Sequence, residues 1–551
     1  MALFFKNKIS YTALVFLFIC IGFIVRLIYL GEVPGNGALN YDEAYGGYEA
    51  WSMLHYGHDS RGYKNFPVYL KTWGSGMSLL PNLSMMPFIK FLDLTPLAIR
   101  LPQAILGCIS LVVFFLLVLK IKGLFEGLVA LFLLSICPWH IMMSRWGLDC
   151  NFFPGFLLIS IYLLVKSKEN KNYFYLSMIF FGLTLYTYAA PWTIMPFLVM
   201  HLLYFVVLKG NIINIFKKEV FLKLLFGFFI LFIISLPLML LVLVNLDYLD
   251  EFSFGIFSIP RFNCFRYRDV NFSFNVVLRR ILVFLHIIIF KQSDGLFFNS
   301  LDNIGIYYRI TSFFFIIGFY TEFKKYLKRK ILGIKNPLSH IMLIWLFYAF
   351  VLSLLIDINV NRLNIVHLPI IYFSAVGICV FLNSIREKNI KEKNIKKSRT
   401  QAFKIANIAI VFLYLSLFSN FVKFYFTEHS DIFYHFFFGE MPKVLEKVKD
   451  LTKDNSHALI HTDTSYFAYP NILFYLKFPT DEYLKTVKFV DVRIPVQPII
   501  GFSNFRFSSS VHSTYKKGDI YILENRNSEH RNFIVRNKLK YDIFGRYLLA
   551  Y

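Results

Sequence analysis

A chain of 551 residues with 57% hydrophobic and only 17% charged residues, and a mean hydropathy of +0.54, excludes an ordinary soluble globule, whose charged share is about a quarter. The formal charge of +24 raises nucleic acid as a partner, but most Lys and Arg fall in short tracts between apolar runs, where they set membrane topology, so no nucleic-acid partner is expected. Six scattered cysteines without a Cys-x-x-Cys pair indicate neither a disulfide framework nor a zinc site.

Apolar runs long enough to cross about 30 Å of hydrocarbon lie near 11–30, 97–119, 124–143, 148–165, 173–190, 191–208, 224–244, 304–320, 338–356, 364–383 and 405–424, eleven in all. The first follows Lys6 and Lys8 and ends in Leu-Gly-Glu-Val-Pro, which is no cleavage site, so it reads as an uncleaved span. The stretches 77–92, broken by Pro81, Pro87 and Lys90, and 276–290, which contains Arg279-Arg280, read as interfacial or re-entrant helices on the outer face. Counting 276–290 as a span sends the basic tracts 324–335 and 386–404 to the outside, against the positive-inside rule. The N-terminus is then cytoplasmic, and 31–96, 246–303 and the tail after 424 are extracytoplasmic. The segment 386–404, which repeats Glu-Lys-Asn-Ile at 387–390 and 392–395, reads as a basic cytoplasmic loop.

The tail changes character. Alternating runs such as Ala458-Leu-Ile-His461 and Asp519-Ile-Tyr-Ile-Leu523 predict strands beside a polar helix at 441–451. The expected fold class is therefore an α-helical polytopic membrane protein of about eleven transmembrane helices with outer-face interfacial helices, plus a small C-terminal mixed α/β extracytoplasmic domain. Its expected parts are a membrane domain 1–424, with the first outer loop at 31–96, and the domain 425–551.

The densest chemistry is in that loop, from Asn40 to Trp73. It holds adjacent carboxylates (Asp42, Glu43), a glycine pair (Gly46, Gly47), Tyr41, Tyr45, Tyr48 and Trp51, and the basic residues Arg61, Lys64 and Lys71. A loop of about 65 residues between spans is long enough to suggest function. A carboxylate held in such a pocket suits a general base acting on a hydroxyl, and aromatic rings with close-approach glycines suit a sugar or lipid headgroup. Two short outer loops, Ser144 to Asn151 and Asp357 to Asn364, carry Arg145 and Arg362 where topology disfavours positive charge. With Arg100 at the mouth of the second span they read as candidate ligands of a phosphate, with Lys71 and Arg61 as weaker ones; a lone external Arg reads equally well as snorkelling to lipid. No P-loop, G-x-G-x-x-G, H-E-x-x-H or outer-loop D-x-D occurs, and His55, His58 and His140 lack ligand spacing. No cofactor is assigned. A divalent cation shared by Asp42, Glu43 and Asp149 stays open, as an alternative to neutralisation of phosphate by Arg and Lys alone.

Asp42-Glu43 in the first outer loop, Arg100-Leu-Pro102 opening the second span, Ser144-Arg-Trp-x-x-Asp149 and Asn361-Arg-x-Asn-Ile365 together resemble the GT-C superfamily of membrane glycosyltransferases. The type is family 39 or protein O-mannosyltransferase, with the relatives that put aminoarabinose on lipid A. The resemblance covers about 1–385 and implies an enzyme taking a sugar from a polyprenyl-phosphate donor at the outer leaflet, with Asp42 as catalytic base and Arg100 at the donor phosphate. On that reading configuration inverts at the sugar, Glu43 and Asp149 orient substrate with Tyr41 and Tyr45, and Arg145, Arg362 and Lys71 meet the phosphate. The chain lacks the soluble domain that eukaryotic protein mannosyltransferases insert midway. A cell-envelope glycan or lipid is thus as good an acceptor as a protein. A transporter or flippase of lipid-linked sugars is the alternative; a non-catalytic scaffold leaves the Asp-Glu loop unexplained. The enzyme reading further expects Asp42 and Arg100 to line one laterally open cavity, within about 12 Å. It also expects the apolar face of 77–92 (Met77, Leu79, Leu80, Leu83, Met86, Phe88) to form a lipid-facing wall.

Overall fold

The computed structural model describes residues 8–264, 273–331, 337–386, 393–453, 457–462, 468–494, 496–508 and 515–551. The chain divides into two compact units, one of Met1–Ile28, Gln103–Leu236 and Val270–Phe424, the other of Tyr29–Pro102, Pro237–Asp269 and Tyr425–Tyr551.

The first unit is helical. Among the described residues five helices are long and apolar enough to cross a membrane: Pro96–Lys122, Asp149–Lys166, Lys218–Asn245, His367–Arg386 and the last one, around Arg399–Phe436. A sixth is formed if Leu124–Ser135 and Pro138–Ser144, bent by 60°, count as one. Tyr11–Leu27, Met195–Val206 and Ile341–Leu355 are apolar but shorter, and Asn172–Thr184 stops short of its expected 190. Length alone therefore does not carry the expected eleven. The bend follows from Pro138, which takes the first position of its helix and so supplies no N–H to the turn before it. The fully buried Arg26 donates to the carbonyls at the break: its Nη1 reaches Ser135 O at 3.1 Å and its Nη2 Leu134 O at 2.9 Å, which also accepts the Cys137 N–H at 3.4 Å.

The amphipathic stretch expected at 276–290 is a helix Phe274–Leu285 continued by a π-turn His286–Phe290; Arg279 and Arg280 both bond the Asp357 carboxylate. Of the expected basic loop, 387–392 lie outside the described residues. From Lys393 the chain is already helical and runs to Phe426, so that part of the expectation is corrected: Lys and Arg are good helix formers and simply begin the last apolar helix.

In the second unit a seven-stranded sheet runs in the order Tyr541–Phe544, Tyr547–Ala550, Ile520–Glu524, Ile460–Thr462, Phe505–Phe507, Ile499–Phe502, Lys488–Phe489. Its middle is parallel, with Ile460 in register with both Ile520 and Phe505, and its flanks are antiparallel. Ile460, Phe505, Ile520, Ile522 and Leu549 belong to one hydrophobic core with Tyr45, Tyr48, Trp51 and Trp73 of the segment 31–96. Polar ties lie within the same unit: Asn471 Nδ2 donates to Leu39 O at 2.9 Å and the Tyr48 hydroxyl to Phe478 O at 2.7 Å. The boundary expected at 424 therefore parts the tail from a loop that shares its core.

The helix Leu79–Leu92 has 14 residues, about 21 Å, too short to cross the membrane. Leu79, Asn82, Met85 and Ile89 are buried at helical spacing. The lipid-facing wall expected of 77–92 is corrected in part. Met77 pairs with Leu70 in a short strand and with Leu79 packs on Met53, and the half-buried Leu83, Met86 and Phe88 pack on the cores of the same unit, so of the six only Leu80 is not placed in a protein cluster among the described residues.

Candidate active site

The helix Tyr41–Tyr56 begins with a capping box. Asn40 Oδ1 accepts the Asp42 N–H at 2.8 Å, and Glu43 reaches back to the Asn40 N–H at 3.2 Å. Gly57 ends the helix at φ 72°. Both carboxylates thus lie in a first turn whose open N–H groups favour negative charge. The glycine pair makes room for protein, not ligand: a Cβ at Gly46 meets Asn82 at 2.7 Å, and one at Gly47 meets Ile99 and Phe474 at 2.8 and 2.9 Å.

Glu43 and Arg100, expected beside the base and at the donor phosphate, answer each other. Arg100 Nε and Nη2 fork onto the Glu43 carboxylate at 3.0 and 3.2 Å, and Nη1 and Nη2 hold Pro34 O and Ala38 O at 3.1 and 2.8 Å. Both side chains are fully buried. Arg100 is in this arrangement a strut that fixes the loop to the start of its helix, not the wall of an open cavity. Glu43 gives its carboxylate to Arg100, and among the described residues no group of three or more His, Cys, Asp or Glu is placed to hold the cation left open for Asp42, Glu43 and Asp149.

Asp42 has a different partner. The Trp73 indole N–H donates to its Oδ1 at 2.7 Å. Around that indole stand Tyr41, Tyr45 and Tyr469, edge-on with centroids 5.9, 5.3 and 5.3 Å away. Tyr45 is fully buried and Tyr41 partly so. Lys71, two residues before Trp73, is half-buried, and burial and the charge of Arg61 lower its pKa. Arg61 lies over the Phe489 ring at 4.4 Å, and its Nε and Nη2, shielded from solvent, find no acceptor among the described residues. Two cations thus share one small region.

Two further acids went unread in the sequence. Glu49, fully buried, accepts the Ser60 hydroxyl at 2.6 Å and the Ser60 N–H at 2.8 Å; Asp59, also buried, accepts the Arg61 and Tyr63 N–H groups at 2.9 Å. Burial, then the charge of Asp59, pushes the Glu49 carboxyl up to about 8, and burial pushes Asp59 up to about 6. The turn-forming Asp59-Ser-Arg-Gly62 was a signal for Asp59. Nothing local marks Glu49 or Trp73.

The remaining candidates belong to the first unit. Arg145 is buried and gives Nη1 to Val25 O at 3.0 Å. Asp149 opens its helix and accepts the Cys150 N–H at 2.7 Å. Arg362 is exposed and holds Asp357 O at 3.1 Å. The two motif loops do meet: Asn364 Nδ2 donates to Asn151 Oδ1 at 2.9 Å and to Cys150 O at 3.1 Å.

No protein-family model matches the sequence, and no curated protein does. Solved structures do match by fold. ArnT from Cupriavidus metallidurans in the apo state aligns at a TM-score of 0.56 and 11% identity over 98% of both chains, and the same protein bound to undecaprenyl phosphate at 0.53. The Archaeoglobus fulgidus oligosaccharyltransferase in complex with Zn and sulfate aligns at 0.55 and 12% identity, over 95% of this chain and 69% of the other. With apolar helices in one unit and the segment bearing Asp42 in the other, the chain has the fold of these solved structures.

Proposed function

We propose that the protein is an integral-membrane glycosyltransferase that moves a sugar from a polyprenyl-phosphate donor to an extracytoplasmic acceptor, with Asp42 as general base. The observation that carries this reading is Asp42 at the capped start of its helix, held by the Trp73 indole inside an aromatic box, in a fold shared with ArnT, which has been solved with undecaprenyl phosphate bound. The acceptor hydroxyl gives its proton to Asp42 as it attacks the anomeric carbon from the face opposite the leaving lipid phosphate, so configuration inverts. Lys71, with Arg61 beside it, meets the charge of that phosphate. Arg100 and Glu43 act through position, and Arg145, Asp149 and Arg362 remain candidates to orient donor or acceptor. The N-terminus is cytoplasmic, and the first loop and tail are extracytoplasmic. The acceptor is a glycan, lipid or protein of the cell envelope.

The test is turnover of a panel of undecaprenyl-phosphate sugars by detergent-purified protein, read as released undecaprenyl phosphate. Asp42→Asn lowers kcat by roughly 10²–10⁴. Parental turnover in that variant ends the assignment, and activity that requires sealed vesicles favours transport of lipid-linked sugars instead.

A further inference from the structure

Trp73 is the least expected member of this region. It sits in the turn Thr72–Gly74 at φ 56°, ψ 7°, a left-handed backbone conformation that a bulky residue adopts only when its surroundings enforce it. The enforcement comes from the tail. Tyr469 packs edge-on against the indole, Gln497 donates its backbone N–H to Trp73 O at 3.2 Å, and Gly74, at φ 77°, lies so close under the Gln497 side chain that a Cβ there has no room. Strain of this kind is kept where it aims something. Here it aims an indole N–H at the Asp42 carboxylate.

We infer that Trp73, clamped by Tyr469 and Gln497 of the tail, is a positioning residue that orients Asp42 and holds it ionised, and that this clamp is what the C-terminal region contributes to transfer. The inference rests on Asp42 being the base. An N–H that donates to a carboxylate favours its charged form, so it keeps the base unprotonated to lower pH and fixes one oxygen, leaving rotation of the group restrained. Indole is a donor only and cannot take the proton itself. Tyr469 acts through its ring, which stands edge-on to the indole with centroids 5.3 Å apart.

Two measurements on the full-length protein in detergent test this. The first uses whichever undecaprenyl-phosphate sugar of the panel is turned over. Trp73→Phe lowers kcat about tenfold with KM nearly unchanged, and moves the acid limb of the kcat/KM profile up by about one pH unit. Tyr469→Phe behaves as the parent, and Tyr469→Ala reproduces part of the shift from within the tail. The second needs no substrate and no variant that must survive a lost ring. With six tryptophans in the chain, the indole N–H signals are resolvable by NMR. In the parent protein one of them titrates with the acid limb, and Asp42→Asn abolishes that titration. An indole spectrum flat through the acid limb, or parental kcat and pH profile in Trp73→Phe, overturns the inference. Loss of turnover in Asp42→Asn with parental behaviour in Trp73→Phe removes this inference alone; parental turnover in Asp42→Asn removes both readings.

Discussion

Arg100 and Arg26 are both fully buried, yet they are satisfied in different ways. In the unit built from the first loop and the tail, Arg100 forks onto the Glu43 carboxylate and holds two loop carbonyls. In the helical unit Arg26 has no carboxylate among its hydrogen-bond partners; it takes the carbonyls of Gly22, Leu134 and Ser135 and the ring of His140. The reason is the surroundings of each. A helix broken at Pro138 already exposes carbonyls that need donors, whereas a second ion in an apolar bundle would add its own desolvation cost. Buried charge among the apolar helices therefore mends backbone, and in the second unit it locks one segment to another.

The largest expected effect breaks the lock. Arg100→Ala leaves Glu43 buried without its partner and lowers stability by about 3–5 kcal/mol, while the pair Arg100→Met with Glu43→Leu recovers most of it. Thermal melting in detergent reads both; a single variant that melts with the parent sinks the comparison.

Next comes Glu49, a buried acid of the same unit whose hydrogen-bond partner is Ser60 rather than an arginine. Its carboxyl is raised from 4.5 to about 8, so between these values the folded chain keeps a proton that the unfolded chain has lost. Stability is then full below the unfolded value and falls, by an amount on the order of a few kcal/mol, as pH rises through about 8. Asp59, raised to about 6, adds in the same direction. Glu49→Gln flattens the decline, and a parent melting temperature that does not drop between about pH 4.5 and 8 refutes this.

Arg26→Met is expected to cost about 1–3 kcal/mol, since several carbonyls lose a charged donor but no carboxylate is stranded. A loss as large as that of Arg100→Ala makes the two arginines alike. Smallest is Lys477→Ala, which removes an exposed pair with Asp93 within the second unit and costs about 0.2–1 kcal/mol, less in high salt.

Hydropathy was enough to find the apolar helices, the short helices within 77–92 and 276–290 and the mixed tail, because burial in lipid writes itself into composition residue by residue. Asn40-x-x-Glu43 carried the start of the Asp42 helix in the same local way. The roles of individual side chains were less legible. Arg100 read as a phosphate ligand because a sequence shows charge without showing what faces it, and Gly46-Gly47 read as room for a ligand because it does not show Asn82 or Phe474.

Sequence by itself determined the class of molecule and singled out Asp42, since a carboxylate among aromatics in a long outer loop is a local pattern. Tertiary structure alone decided that Glu43 and Arg100 are spent on each other, that the tail shares a core with that loop, and that Trp73 bonds Asp42. Those contacts join residues 31 to more than 400 positions apart, and a hydrogen bond or a packed ring is specified by where the chain returns in space, which no local pattern of residue types encodes.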